Sequence, residues 1–316
     1  MSSAEKRQTR EQKKEAEERE IVNVIANVQD EATQIDIVMK KRRCFGPALS
    51  EPSRFYSIVQ DYVNSDTNAE EVAKKLVTPI NNAILQNRKN LHFLDLWYSI
   101  IHSAKRLPFR DTIGLDKLVT LIQAIKSSFP PPTAKDQDIY TCLRDFGMAA
   151  RETMNDCPGC GSGYLLLEVH AYANMLYFYA LLTVERVSNF WIYCIWEMRS
   201  ALETPLEDDA LDGAHHPGTA IQKYNATIPS AAAWIFAAGK QVYAREYDLT
   251  PKRATEGNPG RGGPLWEGRP EFSKKRWALW KKRFGELAGL EGLTDEVKEI
   301  ARECAEAMDR IDGGAK

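Results

Sequence analysis

Cys157-Pro158-Gly159-Cys160 has the spacing with which two thiolates can share a zinc ion in a turn, and Pro-Gly bends the chain readily at that point. One such pair supplies only half a site. His215 and His216 follow far along the chain with no second knuckle, and adjacent histidines point different ways. A thioredoxin-like dithiol needs a strand before it and a helix after it within a parallel sheet, and no strand pattern precedes this motif. The favoured reading is two thiols in a loop. No metal is therefore assigned, and Cys157 with Cys160 stays the minor alternative.

The second chemical candidate is His170, which lies with Glu168, Tyr172, Tyr177 and Tyr179 in an aromatic-rich stretch that continues past Trp191. A histidine beside phenols in an apolar centre could act as a general base, so His170, Tyr172, Tyr177 and Trp191 are the candidate pocket residues. The competing reading, in which each polar tip is satisfied inside a core, is the more common fate. Gly257-Asn-Pro-Gly-Arg-Gly-Gly-Pro264 lacks the Lys-Ser/Thr ending of a phosphate loop. There is no nucleophile elbow, no His-Glu-x-x-His and no paired acidic motif of a di-iron bundle. No catalytic residue and no cofactor are assigned.

Phe272 to Phe284 reads FSKKRWALWKKRF, with six basic residues and no acidic one. Stepping about 100° per residue places Trp277, Trp280, Phe284, Leu287 and Ala288 on one apolar stripe. Ser273 stands at the N-cap position, with Phe272 before it and Trp277 inside the first turns, the arrangement of a hydrophobic staple. The cations fall around that stripe: Lys274 and Lys281 on one flank, Arg276 and Arg283 on the other, Lys275 and Lys282 facing outward. A phosphate-tracking helix gathers its cations on one exposed face, so a buried anchor is favoured over a nucleic-acid grip. Lys274, Lys275, Lys281 and Lys282 are the candidate basic surface. Trp97, Trp234, Trp277, Trp280 and Phe284 are the expected structural anchors.

The elements that must position these residues read as helix after helix. The chain has 316 residues, 43% of them hydrophobic, and a formal net charge of -2, so a sizeable core is expected and no chain-wide field exists to gather polyanions. Phe55, Ile58, Val59 and Tyr62 repeat at helical spacing, as do Val72, Leu76 and Ile80. Phe93, Trp97, Ile100, Ile101 and Ala104 line one face before Pro108, and Asp111 or Thr112 can cap the next helix. Another helix is expected from Ile139 to Met154. A break is expected near Ser188-Asn189, and Thr227 is expected to cap a helix with Pro229 in its first turn. Thr255 to Pro270 is too rich in Gly and Pro for a helix. Tyr164 to Val184 is long enough to span a bilayer, but Glu168, His170 and Asn174 argue for a buried core helix and against a membrane span.

The predicted fold is all-α, an irregular multi-helix bundle or helical array forming one domain over residues 21–308. Residues 1–20 mix acidic and basic side chains with almost nothing apolar, and are expected as a disordered tail or a frayed, solvated helix. Residues 309–316 are expected as a flexible tail. Six cysteines scattered from Cys44 to Cys304, behind a start too charged for a signal peptide, fit reduced thiols in cytoplasm or nucleus. Lys40, Lys41, Arg42 and Arg43 resemble a short nuclear-import cluster; a solvated turn is the plainer alternative.

LWYSIIHSAKRLPF, LDKLVTLIQAI, FWIYCIWEMRSALE, IPSAAAWIFAAGKQVY and FSKKRWALWKKRF together, in this order and spacing, resemble a fungal family of helical proteins classed as a domain of unknown function, with its Arg-Trp-x-x-Trp-Lys stretch near the C-terminus. The resemblance covers about residues 50–308 and implies a fungal, intracellular, all-helical protein. It implies no reaction, cofactor or catalytic residue. The leading functional expectation is a protein-interaction or scaffold protein whose partner is another protein. A small-molecule-binding protein or enzyme around His170 is the alternative, and a nuclear nucleic-acid-associated protein the third.

Overall fold

Four of the helix starts, those of the helices beginning at Glu31, Ala69, Ala220 and Lys274, are set by side chains that accept the first orphan amides. Asp30 accepts from Thr33 N at 2.9 Å and Asn68 from Glu70 N at 2.7 Å, each satisfying a donor with no carbonyl one turn back. The computed structural model describes residues 3–47, 53–110, 112–210 and 216–313, and the chain divides into two compact units, Met1–Ser162 and Gly163–Lys316. The all-α expectation holds. Among the described residues extended pairing is limited to one two-stranded ladder and an isolated bridge between Pro158 and Ser162.

The first unit comprises α1 (Ser3–Ile25), α2 (Glu31–Arg42), α3 (Tyr56–Val63), α4 (Ala69–Leu85), α5 (Phe93–Lys105), α6 (Thr112–Lys126) and α7 (Phe146–Thr153). The charged N-terminal segment is thus helical from Ser3, and Ile21 is fully buried. Helix α5 packs against α3, α6 and α7. Its Trp97 is wholly buried, meets Phe146 of α7 at 5.1 Å between ring centres, and donates its indole N–H to Arg144 O at 2.6 Å. Truncating a buried indole of this kind costs about 3–5 kcal/mol. At the end of α5, buried Lys105 donates to Asp156 Oδ2 at 2.6 Å, and both oxygens of that carboxylate accept Phe45 N–H.

The second unit comprises α8 (Leu166–Val184), α9 (Trp191–Met198), a π-helical turn (Arg199–Glu203), α10 (Ala220–Ala244), β1 (Tyr247–Asp248), β2 (Glu271–Phe272), α11 (Lys274–Leu287) and α12 (Asp295–Gly313). Helix α8 is apolar on all sides and is buried continuously over residues 171–180, as a central helix must be. It packs against α10, which packs in turn against α12. Gly239 lets that last pair approach: a Cβ there would sit 2.8 Å from Ile311 Cδ1. Strands β1 and β2 pair antiparallel, Tyr247 with Phe272 and Asp248 with Glu271, and close the base of the Gly/Pro-rich loop 249–270. No helix among the described residues is long and apolar enough to cross a membrane.

Two element boundaries differ from expectation. Helix α10 begins well before Thr227: Thr219 accepts from Gln222 N while Gln222 Oε1 accepts from Thr219 N, a reciprocal cap, and Pro229 lies in the helix interior. The missing N–H is tolerated where hydroxyls of Thr227 and Ser230 bond back to Lys223 O and Ala226 O on either side of the interruption. The helix expected from Ile139 instead starts at Phe146, because Leu143 and Asp145 adopt φ of 50° and 64°, which a right-handed helix cannot contain. Thr112 is the first residue of α6, and Asp111 lies outside the described residues.

Candidate functional site

Helices α4 and α6 run side by side in the first unit and leave an open groove of about 1100 Å³ between them. Lys74, Thr78 and Asn81 on α4, and Asp116, Thr120 and Gln123 on α6 with Ser127 just past its end, repeat at three- and four-residue steps, so each wall is a row of side chains parallel to the groove. Both charges occur in it: Glu70 with Lys74, Asp116 with Lys117. Lys117 Nζ is turned to Val63 O and Ser65 O, at 3.1 and 2.5 Å, which fixes one wall to the end of α3. The rim carries two large apolar side chains in water, Ile113 at 73% and Phe129 at 86% exposure. Phe129 is not a loose residue. Its carbonyl accepts Asn81 Nδ2 at 3.3 Å, so the backbone is tied to α4 while the ring projects outward.

A polar cluster in the same unit had no sequence signal. Asp36 Oδ1 receives Tyr56 OH at 3.1 Å and Arg106 Nε at 3.0 Å, and lies 2.7 Å from His102 Nε2. Burial lowers the His102 pKa below its ordinary value against the raising effect of Asp36, and burial with the Asp36 charge raises that of Tyr56. The imidazole lies against the Asp36 carboxylate and edge-on to the Tyr56 ring, and the cluster braces α2, α3 and α5; the spacing of the four residues in sequence carries no periodic signature.

In the second unit the densest polar constellation is a clamp. Glu203 and Arg276 are both fully buried, with Nε to Oε1 at 2.7 Å and Nη2 to Oε2 at 3.0 Å, the bidentate geometry that suits a guanidinium to a carboxylate. The carboxylate also accepts Trp280 Nε1 at 2.6 Å and Gly263 N at 2.8 Å. Arg276 spends its other N–H groups on Gly260 O, Arg261 O and Glu271 O. These carbonyls belong to the loop 249–270 and its base, which has little backbone pairing of its own. Gly263 is required there, because a Cβ would meet Glu203 O at 2.6 Å.

The residues named for a pocket are drawn to different neighbours. His170 is partly exposed, and its Nε2 lies 3.1 Å from Glu296 Oε1 on α12. Tyr172 donates to buried Glu197 at 3.1 Å, whose pKa burial pushes up to about 7 against that hydrogen bond. Tyr177 is buried in α8. Trp191 packs on Trp234 and Phe272, with the Arg245 guanidinium 4.9 Å over its ring. Glu168 caps its own helix, accepting Gly163 N and Leu165 N.

Trp97, Trp234, Trp277, Trp280 and Phe284 are all buried. Of the candidate basic surface, Lys274 donates to Tyr243 O and sits over the Tyr243 ring, Lys281 reaches Asp309 and Asp312 at 2.7 Å each, and Lys282 lies 3.5 Å from Glu286. Lys275 is exposed. In the Lys40–Arg43 cluster, Lys41 pairs with Glu20 at 2.5 Å and buried Arg42 faces Glu17 and Glu18. Cys157 and Cys160 occupy the first and last positions of a turn, and no group of three or more His, Cys, Asp and Glu suited to a metal occurs among the described residues. His215 lies outside them.

No curated protein and no solved structure matches the chain. One family model does, over residues 97–284, more than half the length and across the run from Trp97 through the α11 anchors. The chain therefore belongs to the family described as "Protein of unknown function (DUF3632)".

Proposed function

We propose that this chain is a non-catalytic protein-interaction protein whose α4/α6 groove receives an amphipathic helix of a partner protein. The observation that carries the reading is the anchored, outward-facing Phe129 together with Ile113 on the rim of a trough walled by two parallel side-chain rows. A third helix fits such a trough by laying a ridge between the rows, with apolar residues at its ends to cover the two exposed side chains. Leaving those side chains in water forgoes about 1.5–3 kcal/mol each. Three of the four candidate lysines of α11 face acceptors within the chain, which favours this reading over a nucleic-acid surface. The family match, over residues 97–284, runs across the boundary between the units; one functional module over residues 21–308 belongs to the same proposal. A fungal, intracellular setting, in cytoplasm or nucleus, belongs to the same proposal and is what the sequence resemblance implies.

The test places a photo-crosslinking amino acid at Thr120, inside the groove, and at Glu291 as a control. Crosslinks at Thr120 to one helical segment of another protein, lost in Ile113→Glu and Phe129→Glu variants, are the expected result. Crosslinks insensitive to both substitutions, or equal from the two positions, sink the reading; a small-molecule adduct at Thr120 moves it to the ligand-binding class.

A further inference from the structure

The Cys157-Pro158-Gly159-Cys160 segment is a built turn. Cys160 N–H donates to Cys157 O at 3.0 Å, and Gly159 has φ of 88°, so Pro and Gly occupy the central positions that a type II turn demands. The turn is held from below. Gly159 N donates to Ser162 O at 2.9 Å, Ser162 N to Cys157 O at 3.4 Å, and Ser162 Oγ to Asp156 O at 2.8 Å. Gly161 is required for this closure, since a Cβ there would sit 2.4 Å from Asn155 O. A β-turn brings its end Cα atoms within about 7 Å, a range that overlaps the 4.4–6.8 Å a disulfide spans. Both cysteines are in the thiol form; Cys160 is exposed and Cys157 half-buried.

We propose that Cys157 and Cys160 form a reversible intramolecular disulfide, a thiol–disulfide exchange site whose co-reactant is a low-molecular-weight disulfide. The accessible Cys160 thiolate attacks one sulfur of that disulfide, making a mixed disulfide and expelling the first thiolate. Cys157 thiolate then attacks Cys160 Sγ, forming the Cys157–Cys160 bond and expelling the second. The two cysteine sulfurs are oxidised by two electrons together, the external disulfide is reduced to two thiols, and the two cysteine protons end on them. The turn replaces a diffusional second step by one between groups already held at its two ends. Asp156, next to Cys157, holds Lys105 and Phe45 N, so the bond forms beside a buried anchor of the first unit.

The full-length chain carrying Cys142→Ser, which removes the other exposed cysteine, is equilibrated in glutathione buffers of increasing oxidised fraction, quenched in acid, alkylated and mapped by mass spectrometry. The expected result is joint loss of Cys157 and Cys160 alkylation with an internal bond. It should occur at an oxidised-glutathione level about tenfold below that needed to load Cys160 in the same chain with Cys157→Ser, where a stable glutathione adduct accumulates. Gly159→Val, which opposes the positive φ, should raise the level needed for the bond. Adducts that build up on Cys160 while Cys157 stays alkylatable overturn the proposal, as does pairing of either cysteine with a different one.

Discussion

Replacing Arg276 by Met keeps most of the side-chain volume and removes the charge from the centre of the clamp. Glu203 is then a fully buried carboxylate with two neutral donors left, Trp280 Nε1 and Gly263 N. Breaking a buried pair from one side costs about 3–5 kcal/mol, because the remaining charge is uncompensated. The carbonyls of Gly260, Arg261 and Glu271 lose their donor as well. Glu203→Gln strands the guanidinium instead and should cost a similar amount. The double variant leaves no buried charge, so it should be less destabilised than the sum by about 2–3 kcal/mol. Urea unfolding followed by indole emission reports on this unit, since Trp97 is the sole tryptophan outside it. The loss should persist in 1 M salt, which screens exposed pairs and not buried ones. If Arg276→Met unfolds within about 1 kcal/mol of the parent, or if the two single effects simply add, the clamp does not hold the loop as argued.

Glu197 gives a pH signature of the opposite sign to a salt-bridged carboxylate. Its pKa is raised from 4.5 to about 7 in the folded chain, so between those values the folded state keeps a proton that the unfolded state has lost, and stability falls as pH rises through that window. The fall attributable to this residue is on the order of 3 kcal/mol, and urea midpoints of Glu197→Gln taken from pH 4.5 to 7.5 should lack it; an unchanged slope would place the origin elsewhere. His170→Asn removes a partly exposed pair with Glu296, so the thermal unfolding free energy should move by less than about 1 kcal/mol, and a larger loss would mean that His170 carries more structural weight than a partly exposed pair supplies.

The helices of this chain were legible where punctuation and periodicity agree. Pro108 does close the segment after α5, Ser273 does cap α11 by accepting Arg276 N, and the break after α8 falls where Ser188 and Asn189 stand. Punctuation misled at Pro229, because a proline in a helix interior and one in a first turn look alike until the cap at Thr219 is seen. The start of α7 was hidden for a different reason: Leu143 takes a left-handed φ that its residue type does not advertise, and Asp145 one that an Asp adopts only occasionally. The groove was invisible in principle. Its walls are polar, so they show as solvated faces, and only the placement of α4 beside α6 turns two such faces into a trough.

Arg276 shows where a helical wheel stops being informative. The wheel sets it on the flank of the apolar stripe, and the angle is right, but an angle does not say what lies opposite. Opposite is Glu203, delivered by a π-helical turn at the end of α9, and a π turn shifts the side chains beyond it relative to a regular helix. That shift lets one carboxylate collect four donors and frees Arg276 to hold three carbonyls of a loop that cannot hold itself. The cationic look of FSKKRWALWKKRF then has a physical cause inside the molecule. Lys281 faces two aspartates of α12, Lys274 a carbonyl and ring of α10, Arg276 the loop, and Arg283 donates to Leu202 O and Glu286. Each of these four cations answers an acceptor that the sequence places tens of residues away or on the next turn. A run of positive charge in a helix that has aromatic anchors is therefore a statement about the neighbouring acceptors before it is one about an external polyanion.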